Sequence, residues 1–207
     1  MWLIGKRLMN ILILNLIDMI QSKPAKTNYP ILRAIANRWS PVIFSDEKIE
    51  EEKILLLLEA ARWAPSSYNE QPWQYIIGFK GDENYKKLSE SLLEGNSWAK
   101  NAPVLICSVA KKYFTRGNKL NHHHLHDTGM ATMALVLQAT KMDLYSHQMS
   151  GFDMEKMRTS FGIDDDLELG SMIAIGNPGN SDDATEDMIE RDSAPRERKD
   201  LESLIWG

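Results

Sequence analysis

The stretch Ala64-Pro65-Ser66-Ser67-Tyr68-Asn69-Glu70-Gln71-Pro72-Trp73 decides how this chain is read. Pro65 ends the helical pattern before it, and Pro72 opens an extended run after it. Between the prolines stand two hydroxyls, Ser66 and Ser67, and two amides, Asn69 and Gln71. Such groups donate and accept hydrogen bonds without titrating. A loop of this kind suits a neutral, planar, polar-edged ligand better than acid–base chemistry. By composition alone it is equally a turn built from ordinary turn residues.

Outward from the loop, the neighbouring segments read as regular structure. Residues 50–64 form a helix with Ile54, Leu57, Leu58 and Ala61 on one face. Glu50, Glu51 and Glu52 sit in its first turn, where carboxylates favour the helix dipole. Residues 74–80 read as a strand with a turn at Gly81-Asp82. Tyr85, Leu88 and Leu92 predict a helix ending near Gly95. A buried strand follows at 104–109 and contains Cys107, a small core residue rather than a nucleophile. The 128–139 run is a long helix whose Gly129, Ala131 and Ala134 admit a second helix closely. Met154, Met157 and Phe161 predict a short helix, Asp164-Asp165-Asp166 a solvated turn, and 167–175 a strand. Residues 180–190 read as an exposed acidic segment.

Bulk properties narrow the function. The 207 residues fit one domain with an added arm, and 43% hydrophobic content supports a core. A net charge of −5 argues against general nucleic-acid binding. One cysteine excludes an intramolecular disulfide framework and fits a reducing, cytoplasmic setting. At the start, Lys6 and Arg7 precede the uncharged run 8–17, which is interrupted by Asn10 and Asn15. That run falls short of the ~20 apolar residues a membrane span needs, and no small-residue cleavage site follows it. Ile13, Leu16, Ile17 and Ile20 lie at helical spacing, as for a helix packed on the body or a partner; a leader peptide or membrane contact is the alternative. Residues 22–29 read as a linker, which divides the chain into a 1–29 extension and a 30–207 body. Within 30–37 a short helix would turn Ile31 and Ile35 inward. His122 and His126 would share a helix face, but no His-Glu-x-x-His pattern accompanies them, so no metal site is expected.

The 64–73 string resembles the Pro-Ser-Ser-x-Asn-x-Gln-Pro-Trp signature of the nitroreductase family of flavin enzymes. Three further stretches resemble that family in the expected order. Arg38-Trp39-Ser40 resembles its Arg-x-Ser motif, although Val42 stands where a second basic residue is usual. Gln148-Met149-Ser150-Gly151-Phe152-Asp153 resembles the element passing the reactive edge of the flavin, with Ser150 at a position often acidic and Gly151 offering a backbone N–H towards flavin N5. Asp153 also reads as a helix cap. Asp143-Leu144 replaces the family's Gly-Leu, and aspartate tolerates a left-handed helix end. Near the end, Arg196 and Arg198 resemble the family's basic phosphate grip.

The resemblance, covering 31–207, implies an α+β fold: a mixed, largely antiparallel sheet flanked by helices, in an intertwined homodimer. It implies FMN at the interface. Arg38, Ser40, Gly151, Arg196 and Arg198 would face it from one subunit, and Pro65, Ser66, Ser67 and Asn69 from the other. Trp39, Gln71, Gln148, Met149 and Ser150 would lie beside them. It implies NAD(P)H as reductant and a small-molecule acceptor such as a nitroaromatic, quinone or enone. The flavin carries the chemistry, so no catalytic triad is required. A flavin-binding or sensing protein without turnover, and a flavin-free helical scaffold, are the competing readings.

Overall fold

The computed structural model describes residues 23–206. The helix expected from Ile13, Leu16, Ile17 and Ile20, and most of the 1–29 extension, therefore lie outside the described residues. Four strands build the sheet: β1 (Trp73–Phe79), β2 (Val104–Lys111), β3 (Tyr145–Met149) and β4 (Leu167–Gly176). Their order is β1-β2-β4-β3, and every pairing among them is antiparallel. Among the described residues six α-helices surround it: α1 (Arg33–Asn37), α2 (Glu51–Arg62), α3 (Glu83–Glu90), α4 (His124–Lys141), α5 (Met154–Phe161) and α6 (Glu186–Ser193). The α+β fold with a helix-flanked sheet is as expected from the sequence.

The alternation of side chains along the central strands creates two cores. Val104 and Ile106 of β2, with Ile173 and Ile175 of β4, meet Ile54 and Leu57 of α2 and Leu135 of α4. Leu105 and Cys107, with Met172 and Ala174, meet Leu88, Met157 and Met188 from α3, α5 and α6. Both faces of β2 are covered, which explains why the strand reads as an unbroken apolar run. Burial pushes the Cys107 thiol up to about 12, so it is an inert core group. Between Cys107 and Val109 the register slips. Ser108 fills the irregularity, its Oγ accepting from the Ser171 N–H at 2.9 Å.

Several local expectations need correction. The helix over Tyr85 and Leu88 stops at Glu90 rather than near Gly95. Leu92 instead bridges to Phe152, and a 3₁₀ segment, Glu94–Asn101, follows. Ile31 precedes α1, and both Ile31 and Ile35 are exposed, so the short helix buries nothing there. Of the small residues in α4, Ala131 is buried against the molecule's own sheet, whereas Gly129 faces outward into open space. The acidic 180–190 segment contains most of α6, whose Met188 is buried. Asp143 adopts φ 58° at the end of α4, and the Asp153 carboxylate accepts from Lys156 N–H at 2.9 Å to cap α5, as read from the sequence. Among the described residues no helix is long and apolar enough to cross a membrane.

Candidate functional site

The loop delivered by α2 is backbone-strained. Tyr68, Asn69 and Gln71 all have positive φ, at 52°, 56° and 52°. Each such residue costs ~1–3 kcal/mol and persists only where its surroundings over-determine it. Here they do. Ser66 Oγ accepts from the Gln71 N–H at 3.0 Å, and the Gln71 amide donates to Asn69 O at 3.1 Å. Glu70 Oε1 accepts from the N–H and hydroxyl of Thr115, and Lys111 N–H donates to Pro72 O. At the other end Ser67 N–H donates to Asp127 Oδ2 at 2.9 Å. Asp127 is buried in the first turn of α4, with His126 Nδ1 3.2 Å from its other oxygen. Ser66 and Ser67 are half-buried, whereas Pro65, Tyr68, Asn69 and Gln71 are exposed. The loop thus presents an amide edge on a fixed backbone.

Arg38 and Ser40 lie in a turn held from three sides. Pro41 O accepts from His147 Nδ1 on β3 at 2.7 Å, which fixes the proton of that imidazole on Nδ1. The Asp192 carboxylate accepts from Val42 N–H at 2.9 Å and Ile43 N–H at 3.1 Å. Beyond, Phe44 bridges to Pro178 after β4. Val42 itself is a core residue, so its side chain has no role on the surface of this turn. Arg38 donates to Ser40 Oγ at 3.1 Å. Arg196 donates to Lys23 O and to Ala36 O, the latter at 2.8 Å, and Arg198 donates to Glu197 O at 2.6 Å. Burial, then the neighbouring guanidiniums, push Arg38 and Arg196 below the usual arginine value: Arg198 acts on Arg38, and Arg38 and Arg198 act on Arg196. Residues 160 positions apart are thereby gathered into one cationic corner. No carboxylate among the described residues pairs with any of the three. Such a donor set fits a dianionic phosphate, which guanidiniums bind in bidentate fashion.

Trp39 points elsewhere. Its ring lies under the Lys23 ammonium at 4.7 Å and edge-on to Tyr145 at 5.6 Å. It lines a cleft of about 950 Å³ with Phe44, Tyr145, Met188 and Asp192, which none of the other sequence-predicted site residues enters. After β3, Gln148 Oε1 accepts from Ser171 Oγ at 3.2 Å, Met149 is buried, and Ser150 is exposed. Gly151 starts the turn into α5. A Cβ there would stand 2.5 Å from Asn96 Nδ2, so a larger residue would displace the Asn96 amide from its place.

Among the described residues, no hydrogen bond, ion pair or ring contact joins the 65–72 loop to Arg38, Ser40, Gly151, Arg196 or Arg198. Sequence reading missed the residues that hold both halves: Asp127, Asn96, His147 and Asp192. Asp127 had one visible signal, an acid in the first turn of a helix. The other three are set by tertiary pairing. Among the described residues no three His, Cys, Asp or Glu side chains converge as for a metal ion.

Known proteins resemble this chain in sequence and in fold. The nitroreductase family model matches residues 35–100 and 80–177. A relative from Mycolicibacterium smegmatis, known only as a 15.4 kDa protein, is 32% identical over 65% of this chain and 97% of its own length. A putative NADH dehydrogenase/NAD(P)H nitroreductase from Archaeoglobus fulgidus is 29% identical over 81% of this chain and 97% of its own. A crystal structure of an oxidoreductase containing FMN superposes with a TM-score of 0.82 at 31% identity, covering 87% of this chain and 93% of the other. With the fold, the loop and the arginine corner in place, the chain belongs to the nitroreductase family.

Proposed function

We propose that this protein is an FMN-dependent oxidoreductase that takes a hydride from NAD(P)H and passes the electrons to a nitroaromatic, quinone or enone. The observation that carries the reading is the corner of Arg38, Arg196 and Arg198, three guanidiniums without a carboxylate partner among the described residues. These arginines, with Ser40, would hold the FMN phosphate. The loop residues Pro65, Ser66, Ser67, Asn69 and Gln71 would meet the polar edge of the ring system, and Gln148, Met149, Ser150 and Gly151 would lie along its reactive edge. Bound FMN supplies the two-electron chemistry at N5. The chain's own contribution is positioning, which brings reacting atoms to ~3–3.5 Å. The described sheet is wholly antiparallel and offers no βαβ nucleotide fold. Reductant and acceptor therefore take turns at one exposed face, in ping-pong order.

The active unit in this reading is a homodimer in which loop and corner come from different subunits. The lack of any hydrogen bond, ion pair or ring contact joining them among the described residues supports it. So do the exposed apolar residues of the α2–α4 layer, Leu56, Trp63 and Leu125 at 52%, 74% and 44% exposure. The test is stopped-flow mixing of the yellow, FMN-loaded protein with NAD(P)H alone. The flavin absorbance should bleach, and a later pulse of quinone or nitroaromatic should restore it. Bleaching only when the acceptor is already present overturns the ping-pong order. FMN retained without any NAD(P)H oxidation means a flavin-binding protein without turnover. Full FMN occupancy in a monomer by light scattering excludes the shared site.

A further inference from the structure

The turn after β3 is clipped to the segment between α3 and β2 more tightly than a simple strand exit requires. The Phe152 N–H donates to Ser150 O at 3.0 Å, closing a three-residue γ-turn centred on Gly151. Gly151 O accepts twice, from Leu93 N–H at 3.2 Å and from Asn96 Nδ2 at 2.9 Å. Asp153 N–H donates to Ser91 O at 2.8 Å, and Leu92 bridges to Phe152. All peptide bonds described are trans. In a trans peptide the C=O and the following N–H point in opposite directions. Ser150 O is turned inward to Phe152, so the Gly151 N–H is turned outward. It makes no hydrogen bond with the described residues.

Both peptide planes flanking Gly151 are thus fixed, one by the γ-turn and the other by Asn96 and Leu93. Of these holds, only Asn96 acts through a side chain. Its amide also sits where a Cβ at position 151 would be, so the Asn96–Gly151 pair forms one fitted unit. We propose that Asn96 is a positioning residue for the reaction: it holds the Gly151–Phe152 peptide by its C=O, the N–H of that same peptide holds Ser150 O, and the Ser150–Gly151 peptide is thereby fixed with the Gly151 N–H presented, preformed, to flavin N5. The inference rests on the flavin reading above. A donor fixed before the ligand arrives loses no orientation when it engages, and such preorganised donors are the effective ones.

The test compares FMN with 5-deaza-FMN, in which a C–H replaces N5 and accepts no hydrogen bond. One neutral hydrogen bond corresponds to about three- to tenfold in affinity. The wild-type protein is expected to bind FMN tighter than 5-deaza-FMN by that factor. In Asn96→Ala and Asn96→Leu the ratio is expected to fall close to one, with 5-deaza-FMN affinity within about twofold of wild type. An unchanged ratio in the folded variants overturns the proposal. Equal loss for both flavins assigns Asn96 a merely structural role and also overturns it. A wild-type protein that binds both flavins without discrimination has no N5 donor, and this inference fails alone. Binding of neither flavin overturns the flavin reading itself. Should the variants not fold, the wild-type Gly151 amide proton decides by NMR. It should move downfield with FMN and not with 5-deaza-FMN; equal movement with both sinks the proposal.

Discussion

Loop 65–72 and the corner of Arg38, Arg196 and Arg198 hold themselves in opposite ways. The loop stores strain in three left-handed residues and offsets it with a closed set of internal hydrogen bonds, ending on the buried Asp127 carboxylate. Its partners are all inside the chain. The corner has little backbone strain; what it stores is unbalanced charge. Its guanidiniums satisfy some donors on the carbonyls of Lys23, Ala36 and Glu197 and repel one another across the gap. A shape made by strain is specific for a planar edge, and a field made by unpaired cations is specific for an anion. A ligand with both, such as a flavin mononucleotide, is the kind that two such regions select together.

The largest expected effect breaks the corner. Arg38→Ala, or Arg196→Ala with Arg198→Ala, removes charge-assisted contacts of ~1.5–3 kcal/mol each. The double variant should weaken FMN by about a hundredfold or more while hardly changing riboflavin, which lacks the phosphate. Isothermal titration with both ligands reads this directly. Equal losses would mean that the corner supports the fold rather than the phosphate.

The next effect breaks the loop without touching a proposed ligand contact. Asp127→Ala orphans the Ser67 N–H and frees the strained residues. The lost acceptor is worth ~1–3 kcal/mol, and each kcal/mol lowers the Tm of a chain this size by about 2–4 °C. Asp127→Asn keeps an oxygen for Ser67 and should lie between. Thermal unfolding of the apoprotein measures both. A wild-type Tm in the alanine variant would show that the loop keeps its shape by other means.

A third, smaller effect separates shape from chemistry at one residue. Asn69 has φ 56°, so Asn69→Gly accepts the backbone readily and removes only the amide. Stability should stay within about 0.5 kcal/mol of wild type, while flavin reduction by NAD(P)H slows by about tenfold in stopped flow, the effect of one lost hydrogen bond. Reduction at the wild-type rate would leave Asn69 a turn residue only.

Much of this was legible beforehand, and the physical reasons divide cleanly. The two central strands and the helices α2 and α4 follow from apolar periodicity, which is a local property. The loop and the arginines were legible as motifs because their chemistry is carried by residue type at fixed spacing. Ile31 and Ile35 misled because the helix begins only at Arg33, which leaves Ile31 outside it, and Ile35 faces solvent. Leu92 matched the helical period of Tyr85 and Leu88, yet pairing with Phe152 outweighed continuation of the helix. Asn96, Asp127, His147 and Asp192 act through partners 55, 60, 106 and 150 residues away, and single-sequence reading has no access to such pairings.

The smallest effect sharpens the comparison through pH. The corner rests partly on a titrating side chain, His147. His147 Nδ1 donates to Pro41 O beside Arg38 and Ser40, and its ring lies 4.5 Å from that of Trp98. Burial holds the imidazole below its ordinary value of 6.5; the Pro41 bond and Asp192 oppose this, and Arg191 and Arg38 add to it. A base with a depressed folded pKa binds fewer protons folded than unfolded. Its contribution is therefore fully present above pH 6.5 and is lost as pH falls from there towards the folded value. Asp192 runs the other way, because burial raises its carboxyl above the ordinary 3.8, so its own contribution grows as pH falls and opposes the decline that His147 causes. Between pH 7.5 and pH 5.5 the wild-type Tm should accordingly decline. His147→Gln, whose amide still donates but does not titrate, should flatten that decline. A slope unchanged by His147→Gln would place the acid-sensitive support outside the arginine corner.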